Sequence, residues 1–148
     1  MILSLSNRRW KIDNIVFKKI WEEENLIELQ ILANSEFVSA SQSCYVQNTL
    51  LEHLSDKICK YIKKYSESCY LEFGKKEGNY TPAFSMYIFP ADILGHVKIE
   101  VDVEIADNNT RCHRCCFYVK SELGKIEQLG KSLKTLPKAE KGDEVYLN

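Results

Sequence analysis

From His96 to Ile105 the chain alternates without a break. Val97, Ile99, Val101, Val103 and Ile105 are apolar, and His96, Lys98, Glu100, Asp102 and Glu104 between them are polar. Side chains of an extended strand point alternately to opposite faces, so this period of two puts one face in a core and leaves the other in water. A helix would scatter the same apolar residues around its whole circumference. The chain is therefore committed to a sheet with one wet face, the pattern of antiparallel rather than parallel sheets.

The rest of the sequence supplies partners for that strand. Residues 10–20 alternate Ile12, Asn14 and Val16 against Asp13, Ile15 and Phe17, and the acidic run Glu22-Glu23-Glu24-Asn25 reads as a hairpin turn. Residues 26–32 carry Ile27, Leu29 and Ile31 on one face, and after Asn34-Ser35 the hydroxyl-rich stretch 37–45 sets Val38, Ala40 and Cys44 inward. Strands are also expected at 69–73 and 83–89, and at 111–120 after the turn Asp107-Asn108-Asn109.

Two segments have the helical period instead. Leu51, Leu54, Ile58, Tyr61, Ile62 and Tyr65 fall on one stripe, with Thr49 and Glu52 at capping-box spacing and Lys60, Lys63 and Lys64 near the C-terminal pole. Leu123, Ile126, Leu129, Leu133 and Leu136 form a second stripe that starts after Ser121 and stops at Pro137. The order predicts a two-layer α+β fold: a mostly antiparallel sheet of six to seven strands with both helices on one face. Residues 1–137 read as a single domain and 138–148 as a charged, flexible tail, although Val145-Tyr146-Leu147 has the character to dock.

Charge narrows the function classes. Lys and Arg number 20 against 21 Asp and Glu, which leaves no overall field for nucleic acid or an anionic membrane. Arg8 and Arg9 follow the first apolar residues, the reverse of an export signal, and no apolar run approaches the roughly 18–20 residues that span a bilayer. The six cysteines, in a chain long enough to hold a core without staples, are expected as free thiols in a cytoplasm.

Cys112-His113-Arg114-Cys115-Cys116 holds zinc-type ligands, but on a strand Cys112 and Cys116 face one way and Cys115 the other, so packing is the expected role. No catalytic, cofactor-binding or metal-binding residue is assigned. Glu100, Asp102 and Glu104 share the wet face about 7 Å apart along the strand. They suit contact with a basic partner, with Glu22, Glu23 and Glu24 as second candidates and His96 at the strand entrance as a further one. Tyr70, Tyr80, Tyr87, Tyr118, Trp10 and Trp21 add residues that interfaces favour.

Phe37-Val38-Ser39-Ala40, Leu71-Glu72-Phe73-Gly74, the strand opening Gly95-His96-Val97 and the leucine-striped last helix together resemble small bacterial immunity proteins of the WapI type, over residues 10–136. The resemblance implies a cytoplasmic protein that neutralises a cognate toxin domain by non-covalent binding, without catalysis. Alternatives are a small-ligand or enzymatic domain with a pocket near His96 and Tyr118, and a structural module that dimerises through a sheet edge, so either a monomer or a homodimer is admissible.

Overall fold

The computed structural model describes residues 2–5, 13–74, 82–108 and 110–148, with side chains from residue 13 onward except at 106–108. The expectations for Arg8, Arg9, Trp10, Ile12, Tyr80 and Asn109 lie outside the described residues. Among the described residues, nine strands and two helices follow one another as β1 (Ile2–Leu5), β2 (Asn14–Glu23), β3 (Leu26–Asn34), β4 (Val38–Gln47), α1 (Asn48–Lys63), β5 (Cys69–Gly74), β6 (Ala83–Ile88), β7 (His96–Asn108), β8 (Arg111–Glu122), α2 (Leu123–Thr135), a 3-10 turn (Leu136–Lys138) and β9 (Glu144–Leu147). The α+β class and the antiparallel pairing are those the sequence predicts.

The strands divide between two sheets, in the orders β1-β4-β3-β2-β9 and β5-β6-β7-β8. Strand β4 pairs with β3 along its length and with β1 over Val38–Ser41, and the chain then leaves through α1 and starts a second sheet. Within the first sheet, β2 and β3 join through Glu24-Asn25, and Asn25 takes φ = 67°, a left-handed conformation that asparagine tolerates better than most residues.

The inner faces of the sheets meet. Phe17 of β2 lies 5.2 Å from the Phe73 ring of β5 and 6.1 Å from the Phe84 ring of β6, and all three are fully buried. Burying each such ring contributes about 1.5–3 kcal/mol from water exclusion alone. The expected inward sets, Ile27/Leu29/Ile31 and Val97/Ile99/Val101/Val103, enter the same continuous cluster, as do Leu51, Leu54 and Ile58 of α1 and Ile126, Leu129 and Leu133 of α2. Each helix touches both sheets, α1 through β4 and β5, α2 through β8 and β9. The helices approach closely because α2 offers Gly130, whose carbonyl accepts a 2.7 Å bond from Ser55 of α1; a Cβ there would stand 2.7 Å from Ile58 Cγ2.

Two local readings are corrected. Helix α1 begins at Asn48 with Gln47 as its cap residue and no side-chain capping bond, so Thr49 and Glu52 lie within the helix and form no capping box. Residues 138–148 are not a free tail. Strand β9 pairs with β2, Leu147 opposite Ile15, and Leu147 is fully buried, so the docking of Val145-Tyr146-Leu147 is what occurs. The domain therefore runs through this segment, held by the backbone pairs Gly142 N to Lys19 O and Lys19 N to Asp143 O.

Candidate functional site

The second sheet turns its other face outward, and the strand register sets what that face displays. Tyr70 of β5 stands opposite Tyr87 of β6, Tyr87 opposite Glu100 of β7, and Glu100 opposite Tyr118 of β8. The result is a transverse row Tyr-Tyr-Glu-Tyr across the whole sheet, with the rings 40%, 37% and 50% exposed. Alongside runs a second row, Glu72, Ser85, Asp102 and Cys116, and beyond it Glu104 faces Arg114. On the opposite flank Lys98 faces Lys120.

Hydrogen bonds hold the tyrosines in place. The Tyr118 hydroxyl donates to Glu100 Oε2 at 3.1 Å and the Tyr70 hydroxyl to Glu72 Oε1 at 2.7 Å. The bond to Glu100 raises the Tyr118 hydroxyl above the usual phenol value. Burial, reinforced by the bond to Glu72, pushes the Tyr70 hydroxyl up to about 12. Tyr87 meets Phe89 edge to face at 4.8 Å, and the Lys98 ammonium sits 4.4 Å over the Phe89 ring and 5.4 Å from that of Tyr118.

The acidic residues singled out in the sequence have unequal fates. Glu100 and Glu104 do line the outward face, Glu104 accepting a 3.3 Å bond from Cys112 Sγ that raises that thiol. Asp102 is corrected from exposed contact to buried support. It is 3% exposed, and the Arg114 guanidinium straddles it, with Nε 2.9 Å from Oδ2 and 3.1 Å from Oδ1 and Nη2 on Oδ2. Such a paired arrangement is what lets a carboxylate leave water.

Glu22, Glu23 and Glu24 are exposed at the β2–β3 hairpin of the other sheet, and Glu22 is ion-paired to Lys19. No hydrogen bond or ion pair among the described residues joins this group to Glu100 or Glu104. His96 is exposed at a tight turn. Asp92 Oδ1 accepts the backbone N–H groups of Leu94 and His96, and Asp92 Oδ2 lies 3.0 Å from His96 Nδ1. The His96 backbone N–H is the main reason that the Asp92 carboxyl is held below its usual value. Gly95, at φ = 83°, closes that turn in a conformation L residues rarely adopt.

Cys112 and Cys116 point outward and Cys115 inward against the core, the geometry expected of a strand. Glu100, Asp102 and Cys116 bring one ligand atom each to within 4.8 Å of one another, a grouping of potential cation ligands among the described residues. Arg114 already claims the Asp102 carboxylate, and it neutralises the charge a cation would seek.

Beside β8 opens a cavity of about 920 Å³, whose walls include Phe37, His96, Lys98, Tyr118 and Lys120. Sequence reasoning named the tyrosines without placing them in a row, and it missed Arg114, Lys98 and Lys120. Only cross-strand register brings these together, and register is a pairing property that one strand's sequence does not carry.

No family model matches the chain, and neither a curated protein nor a solved structure does. Among the described residues, no helix is long and apolar enough to cross a membrane.

Proposed function

We propose that the chain is a binding protein of the immunity type: it neutralises a cognate toxin domain in a bacterial cytoplasm by covering it non-covalently, and it performs no chemistry of its own. The observation that carries this reading is the row Tyr70, Tyr87, Glu100 and Tyr118 on an outward sheet face. Tyrosines are over-represented at the energetic centres of interfaces because each offers a large apolar area and a polar tip with little conformational freedom to lose. Here the hydroxyls of Tyr70 and Tyr118 are braced by carboxylates on the same sheet and the Tyr87 ring by Phe89, so little ordering remains to be done on binding. Glu72, Glu100 and Glu104 give the face an acidic character suited to a basic partner surface.

The resemblance to immunity proteins names the partner class, and it predicts that the partner is encoded beside this chain. Tagged protein is expected to co-purify with the product of the adjacent gene and to restore growth when the two are co-expressed. Failure of both would sink the immunity reading.

A further inference from the structure

Lys98 and Lys120 face one another on the outward side of β7 and β8. The Lys98 carbonyl accepts from Phe89 N and the Lys120 N–H goes to Asp13 Oδ2, so neither residue uses its backbone on the other. They form a non-hydrogen-bonded pair, the geometry that brings opposed side chains closest, with Cα atoms about 4.5 Å apart. Like charges directly opposite destabilise a sheet, and among the described residues no carboxylate is ion-paired to either side chain. Two of the nearby acids accept other bonds, Asp13 from the Lys120 N–H and Asp92 from Leu94 and His96.

Two cavities meet at this pair. The one of about 920 Å³ beside β8 and a second of about 540 Å³ lined by Phe89, Pro90 and Asp92 share His96, Lys98, Lys120 and Ser121. Both volumes lie in the range of small-molecule sites, roughly 300–1,000 Å³. The Lys98 ammonium is already positioned, held between the Phe89 and Tyr118 rings. Glu36 and Glu122 on the wall of the larger cavity oppose a polyanion such as nucleic acid and favour a ligand with one localised charge.

We propose that this cleft binds a small planar organic anion, its charge between Lys98 and Lys120 and its ring against Tyr118 and Phe89. The cleft shares Tyr118 with the tyrosine row, but its occupant is a small molecule read by its own assay, so the proposal stands or falls without the partner-binding reading.

The probe is 1-naphthoate, titrated by calorimetry and followed on the backbone amides by NMR, with uncharged 1-naphthamide as control. Naphthoate is expected to bind saturably and shift the amides of Lys98, Tyr118 and Lys120. Lys98→Met and Lys120→Met should each weaken it about tenfold, as loss of one charge-assisted contact does, while Lys98→Arg retains it. Both lysines are exposed and the Met changes relieve a repulsion, so these variants should keep the parent's thermal midpoint or raise it. Unsaturable binding, equal binding of naphthamide, or unchanged affinity in both Met variants would overturn the proposal.

Discussion

The ammonium of Lys19, wholly buried on β2, donates to the carbonyl oxygen of Ala139 at 2.7 Å and to that of Pro137 at 2.9 Å. Its third partner is Glu22, at 2.5 Å. One side chain thus satisfies two carbonyls at the end of the 3-10 turn that extends α2 and ties β2 to the segment leading into β9.

Replacing Lys19 by Met keeps the stem and removes the donors, leaving two carbonyls and a carboxylate without their partner. Stability is expected to fall by about 2–4 kcal/mol, the range for breaking a buried charged hydrogen-bond set. Urea unfolding checks the magnitude. Hydrogen exchange checks the location, since the amides of β9 should lose protection before those of β7.

Gly130 and Gly124 lie on the same helix and should respond oppositely to alanine. A Cβ at Gly130 meets Ile58 Cγ2 at 2.7 Å, whereas one at Gly124 meets nothing within 4 Å. Gly130→Ala is expected to lose about 1–3 kcal/mol to overpacking, and Gly124→Ala to gain about 0.5–1 kcal/mol from its better helix propensity. Thermal melts of the two variants against the parent decide it.

Alkaline pH should weaken the fold through groups buried in their neutral forms. Burial pushes the Tyr61 hydroxyl, which donates to Phe89 O at 2.9 Å, and the Cys44 thiol each up to about 12. A raised folded value favours the proton-bound native state. The stability it contributes is complete below the unfolded values, about 10 for tyrosine and 8.5 for cysteine, and is lost as pH rises toward 12. The urea midpoint is expected to decline from about pH 9 to 11, and less steeply in Tyr61→Phe, which has no proton to lose.

The same burial orders the thiols. Cys59 is exposed on α1, while Cys44 and Cys69 are buried and their thiols raised chiefly by that burial. Under native conditions at pH 8 a disulfide reagent should label Cys59 promptly. Cys44 and Cys69 should react only at the rate of unfolding, because the thiolate is the reactive form. Mass spectrometry of labelled peptides distinguishes the three.

These features were not equally legible in the sequence. The inward faces of β3 and β7 were, because strict alternation over a whole strand has one physical meaning. Lys19 continues the inward series Ile15 and Phe17 and so stood at a position the period marks as core, yet the sequence does not say which carbonyls a lysine there reaches. Strand β9 has only three apolar residues in a charged segment, and its burial comes from β2 and α2 rather than from itself. Asp102 has the same spacing as Glu100 and Glu104, and what separates them is Arg114 on the neighbouring strand. The division into two sheets is a matter of which strands pair, and alternation within each strand leaves that open.

The central proposal is that the tyrosine row is the contact surface, and the most direct measurement is the affinity of the adjacent gene's product, the partner the immunity reading predicts, for the parent and for Tyr87→Ala. Tyr87 lies mid-row with its ring outward, so its loss should cost little stability but about 2 kcal/mol of binding, roughly thirtyfold in Kd. The triple change of Glu22, Glu23 and Glu24 to Gln, on the other sheet, should leave Kd within about threefold of the parent. Unchanged affinity in Tyr87→Ala, with the fold intact by circular dichroism, would contradict the account and move the interface off this face.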